Sequence, residues 1–187
     1  MKEIIVLSSK NYDNSETTNY GDCILINTGT ELVIYDCGHE AHANVVIDYM
    51  AQNGFNKAKL ILSHNDSDHF DGVLKLLNED KLSVIRTTLL LKYKDKILEK
   101  IDDNRKTRDS VAKQILALYD NIAKLTGAPL EDIYEYPESL CNEVSIIGPD
   151  FDYMIETVAK HLDGREGNTM DGETAVNATS IQVGVKI

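Results

Sequence analysis

The chain has 187 residues, 42% of them hydrophobic, which is enough for one substantial core and, by the usual length prior, one domain. Nineteen basic residues against thirty-one acidic ones give a formal net charge of −12, so most of the surface repels a polyanion and any nucleic-acid contact has to be local. The apolar run at residues 4–7 is too short for a signal-peptide core or a membrane span, so a soluble, cytoplasmic protein without a membrane partner is expected.

Residues 3–7 read as a first strand, and the polar stretch 8–20 reads as a loop, because it carries Asn, Asp, Ser and Thr without apolar periodicity. Strands at 23–26 and 32–35 flank Asn27-Thr28-Gly29-Thr30, a short glycine-containing connection that predicts a hairpin. Val45, Val46, Tyr49 and Met50 give helical spacing over 41–52, and Asn53-Gly54 supplies the stop. A short buried strand at 59–62 runs directly into Ser63-His64-Asn65-Asp66-Ser67-Asp68-His69-Phe70-Asp71-Gly72, after which Val73, Leu74, Leu76 and Leu77 mark a second helix. Further on, 84–91 reads as a strand and 92–108 as a solvated helix and turn. Val111, Ile115, Leu118, Ile122 and Leu125 form the stripe of one amphipathic helix over 109–125, ended by Gly127 and Pro129. A strand at 144–147, a helix at 151–162, a mobile loop at 163–173 and a last strand at 180–187 complete the pattern. Cys23, Cys37 and Cys141 are too far apart for a CxxC motif, and an odd count suits a reducing compartment.

The chemistry concentrates in residues 64–69. His64, Asp66, Asp68 and His69 put four donors within six residues on a strand-to-helix loop, where a tight bend turns alternate side chains toward one point. Imidazole with carboxylate suits zinc, manganese or iron, and the aspartates move the preference toward harder ions. The competing interpretation is an acidic helix start, with Asp66 and Asp68 as caps and the histidines merely exposed.

The order strand, Gly21-Asp22, hairpin, Asp36-Cys37-Gly38, helix, strand, then His64 to Gly72 resembles the first half of the metallo-β-lactamase superfamily, whose signature is H-x-H-x-D-H followed by glycine. The second histidine is replaced by Asp66, a variant that resembles the metallo-hydrolase branch of bacterial competence (DNA-uptake) channel proteins, and Asn177-Ala178-Thr179-Ser180 is similar to that branch as well. The resemblance implies an α/β fold of the αββα sandwich type, with residues 92–127 as a helical insertion. It implies one or two ions, Zn2+ or Mn2+, with His64 and Asp66 on the first and Asp68 and His69 on the second. Asp68 would also orient the catalytic water, and Asp36 would orient a ligand by hydrogen bonding. His39 and His42 either overhang the metal edge and touch substrate or simply start a helix.

The superfamily's later ligands, two further histidines and a bridging aspartate, have no counterpart here, since His161 is the one histidine after His69 and its place at a helix end suits a surface group better. The chain is therefore expected to be the N-terminal part of a longer domain, with an open last strand that favours a second copy or a larger parent assembly. Three functions follow. They are a phosphodiesterase acting on single-stranded nucleic acid, a hydrolase of small esters, lactones, thioesters or peptides, and a binding or effector module whose metal site no longer works.

Overall fold

The computed structural model describes residues 1–8, 10, 12, 18–125, 127–164 and 174–186. Its main sheet has six strands in sequence order, β1 (Glu3–Val6), β2 (Ile24–Asn27), β3 (Leu32–Tyr35), β4 (Ala58–Ile61), β5 (Leu82–Thr87) and β6 (Leu130–Asp132). The first three pair antiparallel, and β3 through β6 pair parallel. The β2–β3 hairpin lies where its glycine predicts, with Gly29 at φ 89° and its N–H donating to Asn27 Oδ1 at 2.8 Å. Helix α1 (Glu40–Asn53) makes the β3-to-β4 crossover and stops at Gly54, which takes the left-handed conformation at φ 75°.

Because strand side chains alternate between faces, the sheet buries both. Leu25, Ile34, Leu60 and Ile85 face one core, which also holds Val46 and Met50 of α1 and Val73 and Leu76 of α3 (Val73–Asn78). Ile26, Val33 and Ile61 face the other, against Val144 and Ile181. Those partners belong to a second sheet of two antiparallel strands, β7 (Val144–Gly148) and β8 (Gln182–Val185). A second, smaller layer is thus present within the chain. The fold is α/β, with a mixed six-stranded sheet between helices and a smaller sheet.

The insertion is a lobe of its own. A 3-10 turn (Leu90–Tyr93), α4 (Lys94–Glu99) and α5 (Arg108–Leu118) pack Leu90, Ile97, Val111 and Ile115 against Met154, Ile155, Val158 and Leu162 of α7 (Phe151–Leu162). The single helix expected over 109–125 is broken at Tyr119 (φ −125°, ψ 42°), and a one-turn helix, α6 (Asp120–Ala123), follows. The strand expected over 84–91 ends at Thr87, where the chain turns into that lobe. Another single-turn helix, α8 (Ala175–Ala178), precedes β8. The expected loop at 163–173 falls, from residue 165 on, outside the described residues.

Candidate metal centre

The sequence-predicted residues gather at the carboxyl ends of the parallel strands, the edge where open α/β sheets bind ligands. Asp36 follows β3, Ser63 and His64 follow β4, and Asp68 and His69 lie on a single helical turn, α2 (Ser67–Phe70). Three loops are stitched together there by backbone. The N–H of Asp22 donates to Asp68 O at 2.8 Å, that of Cys37 to His69 O at 2.9 Å, and that of Gly72 to Cys37 O at 2.8 Å. The contact is so close that a Cβ on Gly21 or Gly38 would lie 1.7 or 1.9 Å from Asp68 O, so neither position accepts a side chain.

At the centre of this clasp sits Asp36, fully buried and at φ 58°, a left-handed conformation that aspartate tolerates better than most residues. Its Oδ1 accepts the Ser63 N–H at 2.7 Å, and its Oδ2 accepts the Ser63 hydroxyl at 2.6 Å and His69 Nδ1 at 2.9 Å. Since the Ser63 hydroxyl donates to Asp36, its oxygen is left to accept from His64 Nδ1, 2.9 Å away. Both Nδ1 protons are therefore anchored to one carboxylate, directly or through Ser63, and both Nε2 lone pairs are left for a cation. The two rings lie 3.9 Å apart between centroids, and Ser180 Oγ meets His64 Nδ1 at 3.1 Å from the second sheet's side.

Carboxylates face those nitrogens. Asp66 Oδ2 is 3.7 Å from His64 Nε2, while Asp22 Oδ2 and Asp68 Oδ2 are 3.9 and 4.0 Å from His69 Nε2. Asp66 holds the N-cap position of α2 without making a capping bond, so the acidic-helix-start interpretation does not account for it. Burial pulls the His64 imidazole below its ordinary pKa, and neighbouring His69 adds to that. Burial pulls His69 down too, but its bond to Asp36 and the charges of Asp36, Asp68 and Asp22 outweigh this and leave it raised.

His42 is not at the open face. Its ring is buried, with Nδ1 2.7 Å from Tyr12 Oη and Nε2 3.2 Å from Gly21 O, so it supports the Gly21-Asp22 loop from behind. His39 caps α1, its Nδ1 accepting the Ala41 N–H at 3.0 Å, with its ring edge-on to Tyr20. Asp22, Ser63 and Ser180 are what sequence reasoning missed. Gly21-Asp22 was visible as a motif, but its meeting with Asp68, far away along the chain, was not.

A cluster of two histidines and several carboxylates on the carboxyl edge of a mixed sheet narrows the class to α/β proteins with a donor-rich loop after a parallel strand. The family profile of the Metallo-beta-lactamase superfamily matches residues 17–140, and the chain belongs to that superfamily. A stretch of 62 residues is 36% identical to hydroxyacylglutathione hydrolase from Pseudoalteromonas translucida, covering 33% of this chain and 23% of that protein. Among solved structures, a candidate metallo-beta-lactamase from Thermotoga maritima aligns at a TM-score of 0.40 and 12% identity, over 78% of this chain and 65% of its own. The hydrolase AbOPH of the beta lactamase superfamily aligns at 0.35 and 13%, over 67% and 46%.

Metal ions are typical of this superfamily. Ligands about 2.1 Å from a tetrahedral ion stand roughly 3.4 Å from one another. The nitrogen-to-oxygen spacings of 3.7–4.0 Å are a few tenths of an ångström wider. Among the described residues no group of three or more His, Cys, Asp or Glu side chains is arranged so that it could hold an ion. The aspartates are half-exposed, while the imidazoles are anchored directly or through Ser63 by Asp36.

Proposed function

We propose that this chain carries the metal centre of a hydrolase acting on small acyl compounds, that is, esters, thioesters or lactones. The observation that carries the reading is the pair of imidazoles locked through Nδ1 onto Asp36, with Nε2 of each presented to carboxylates. His64 and Asp66 would hold one cation, and Asp68, His69 and Asp22 a second. A Zn2+ or Mn2+ ion supplies Lewis acidity and a more acidic water when bound. Asp68 would orient an attacking water and take its proton, Ser63 and Asp36 keep the imidazoles from turning, and the Gly21–Gly38 clasp fixes the Asp68 backbone.

Acyl substrates are favoured over nucleic acid by the charge of −12 and by three exposed carboxylates around the centre, which a phosphodiester chain would have to approach. The activity in the name of the relative from Pseudoalteromonas translucida, hydroxyacylglutathione hydrolase, also supports this choice. A phosphodiesterase of the competence-branch type is the second reading, and Asp66 favours it as a hard donor where the family signature has histidine. Elemental analysis of the purified chain, followed by assays with p-nitrophenyl esters and with bis-p-nitrophenyl phosphate, separates the readings. Ester turnover that His64→Ala abolishes is expected; metal binding without turnover of either substrate would leave only a binding module.

A further inference from the structure

A small cavity of about 10 Å3 lies where the loop carrying His64 meets the end of β5 at Thr87 and Thr88 and the helix break at Tyr119. Two buried polar atoms of its lining residues have no hydrogen-bond partner among the described residues, Asn65 Oδ1 and Thr88 Oγ1. Asn65 is 2% exposed and Thr88 8%, so bulk water does not serve them. The loop around them is otherwise closely bonded. Ser63 gives its N–H and its hydroxyl to Asp36, its carbonyl accepts the Ile181 N–H at 3.0 Å, and Asn65 O accepts from Asn121 Nδ2 at 2.6 Å.

The orientation of the Asn65 carboxamide is fixed by the same surroundings. Its Nδ2 donates to Leu118 O at 3.2 Å, and turning the amide over would set two oxygens against each other, so Oδ1 remains an acceptor. A buried acceptor without a partner gives up its hydration for nothing, and native proteins rarely keep one. Here two stand at one cavity, whose volume is about that of a single water and too small for an organic ligand. Two polar groups are the minimum that holds a buried water.

We propose that this cavity binds one structural water molecule, which donates to Asn65 Oδ1 and bonds to the Thr88 hydroxyl. The water joins the loop to β5, and Asn65 becomes a positioning residue. It lies between His64 and Asp66 and ties both to the helical lobe through Leu118 and Asn121, and to the main sheet through the water and Thr88. This water is separate from any attacking water, and its role is the same whichever bond the centre cleaves.

Crystals of the full chain, diffracting well enough to order buried waters, should show one water within hydrogen-bond distance of both Asn65 Oδ1 and Thr88 Oγ1. Thr88→Val keeps the shape of the side chain and removes its hydroxyl. In a denaturant titration it should raise the unfolding constant roughly two- to tenfold, the effect of one lost hydrogen bond. Backbone amide exchange at His64, Asn65 and Asp66 should quicken in that variant while exchange in β2 and β3 stays as it was. If the hydroxyl instead has no partner, Thr88→Val replaces an orphaned polar group by an apolar one and stabilises the protein, which overturns the proposal. Density showing the two atoms bonded directly to each other, with no water between them, overturns it as well. A water that is present while exchange at residues 64–66 is unmoved by Thr88→Val overturns the positioning role of Asn65.

Discussion

Asp36 concentrates more of the site's order than any other single residue. It accepts three hydrogen bonds in a fully buried position, and the proton positions of both imidazoles follow from them. Asparagine tolerates the same left-handed backbone but brings an N–H2 that competes for the Ser63 or His69 partner. Asp36→Asn should therefore keep the fold and lower metal affinity about 10- to 100-fold, the usual range for a lost orienting partner, measured by competition with a chelator. Unchanged affinity would mean that the imidazoles are oriented by something else. Asp22 gives the complementary case. Its side chain is 54% exposed, so Asp22→Ala should change stability by less than about 0.5 kcal/mol in a denaturant titration. If it helps hold a cation, Mn2+ affinity nevertheless falls tenfold or more in the same sample. The group His64, Asp66, Asp68 and His69 is legible in the sequence because its members are neighbours along the chain. Asp22 is not, because the antiparallel β1–β2 connection and its backbone bonds with Asp68 and Gly38, distant along the chain, bring it there.

At the scale of elements, strands and helices with a strong period were readable, and the departures have physical causes. Ile122 and Leu125 continue the apolar stripe of α5 beyond the break at Tyr119, so periodicity alone reports one helix where the backbone makes two. The strand β6 is three residues long and two of them are acidic, a pattern no alternation rule reads as buried. It is held by pairing with β5 and by Asp132, whose carboxylate accepts from the N–H groups of Leu89 and Tyr134 and from the Tyr93 hydroxyl. That buried carboxylate joins the sheet to the helical lobe. Asp132→Ala leaves three donors without a partner, so a loss of about 2–4 kcal/mol is expected in chemical unfolding. Amide exchange should accelerate first in residues 89–99, and uniform acceleration through β2 to β4 would show that the lobe does not open separately. The loop clasp allows a similar comparison. Gly38→Ala drives a Cβ into the Asp68 carbonyl and should cost more than about 2 kcal/mol. Gly54→Ala has open space and should cost only the left-handed backbone penalty of about 1–2 kcal/mol.

Across the whole molecule, the sign of the field and the chemistry of the site point the same way. A net charge of −12 draws a divalent cation toward the cluster of Asp22, Asp66 and Asp68 and repels a nucleic-acid strand from it. The two effects respond oppositely to salt in principle, because screening shortens the reach of the field from about 30 Å at 0.01 M to about 10 Å at 0.1 M. Mn2+ affinity measured over that range should fall as salt is added, since attraction beyond the immediate ligands is lost. Binding of a fluorescent single-stranded oligonucleotide, followed by anisotropy, should stay undetectable throughout, because screening removes repulsion without creating a basic surface. Turnover of a neutral p-nitrophenyl ester should be nearly indifferent to salt once the metal is saturating. An oligonucleotide that binds at submicromolar concentration, most tightly at low salt, would require a local basic track strong enough to overcome the net charge, and would move the substrate from acyl compounds to phosphodiesters.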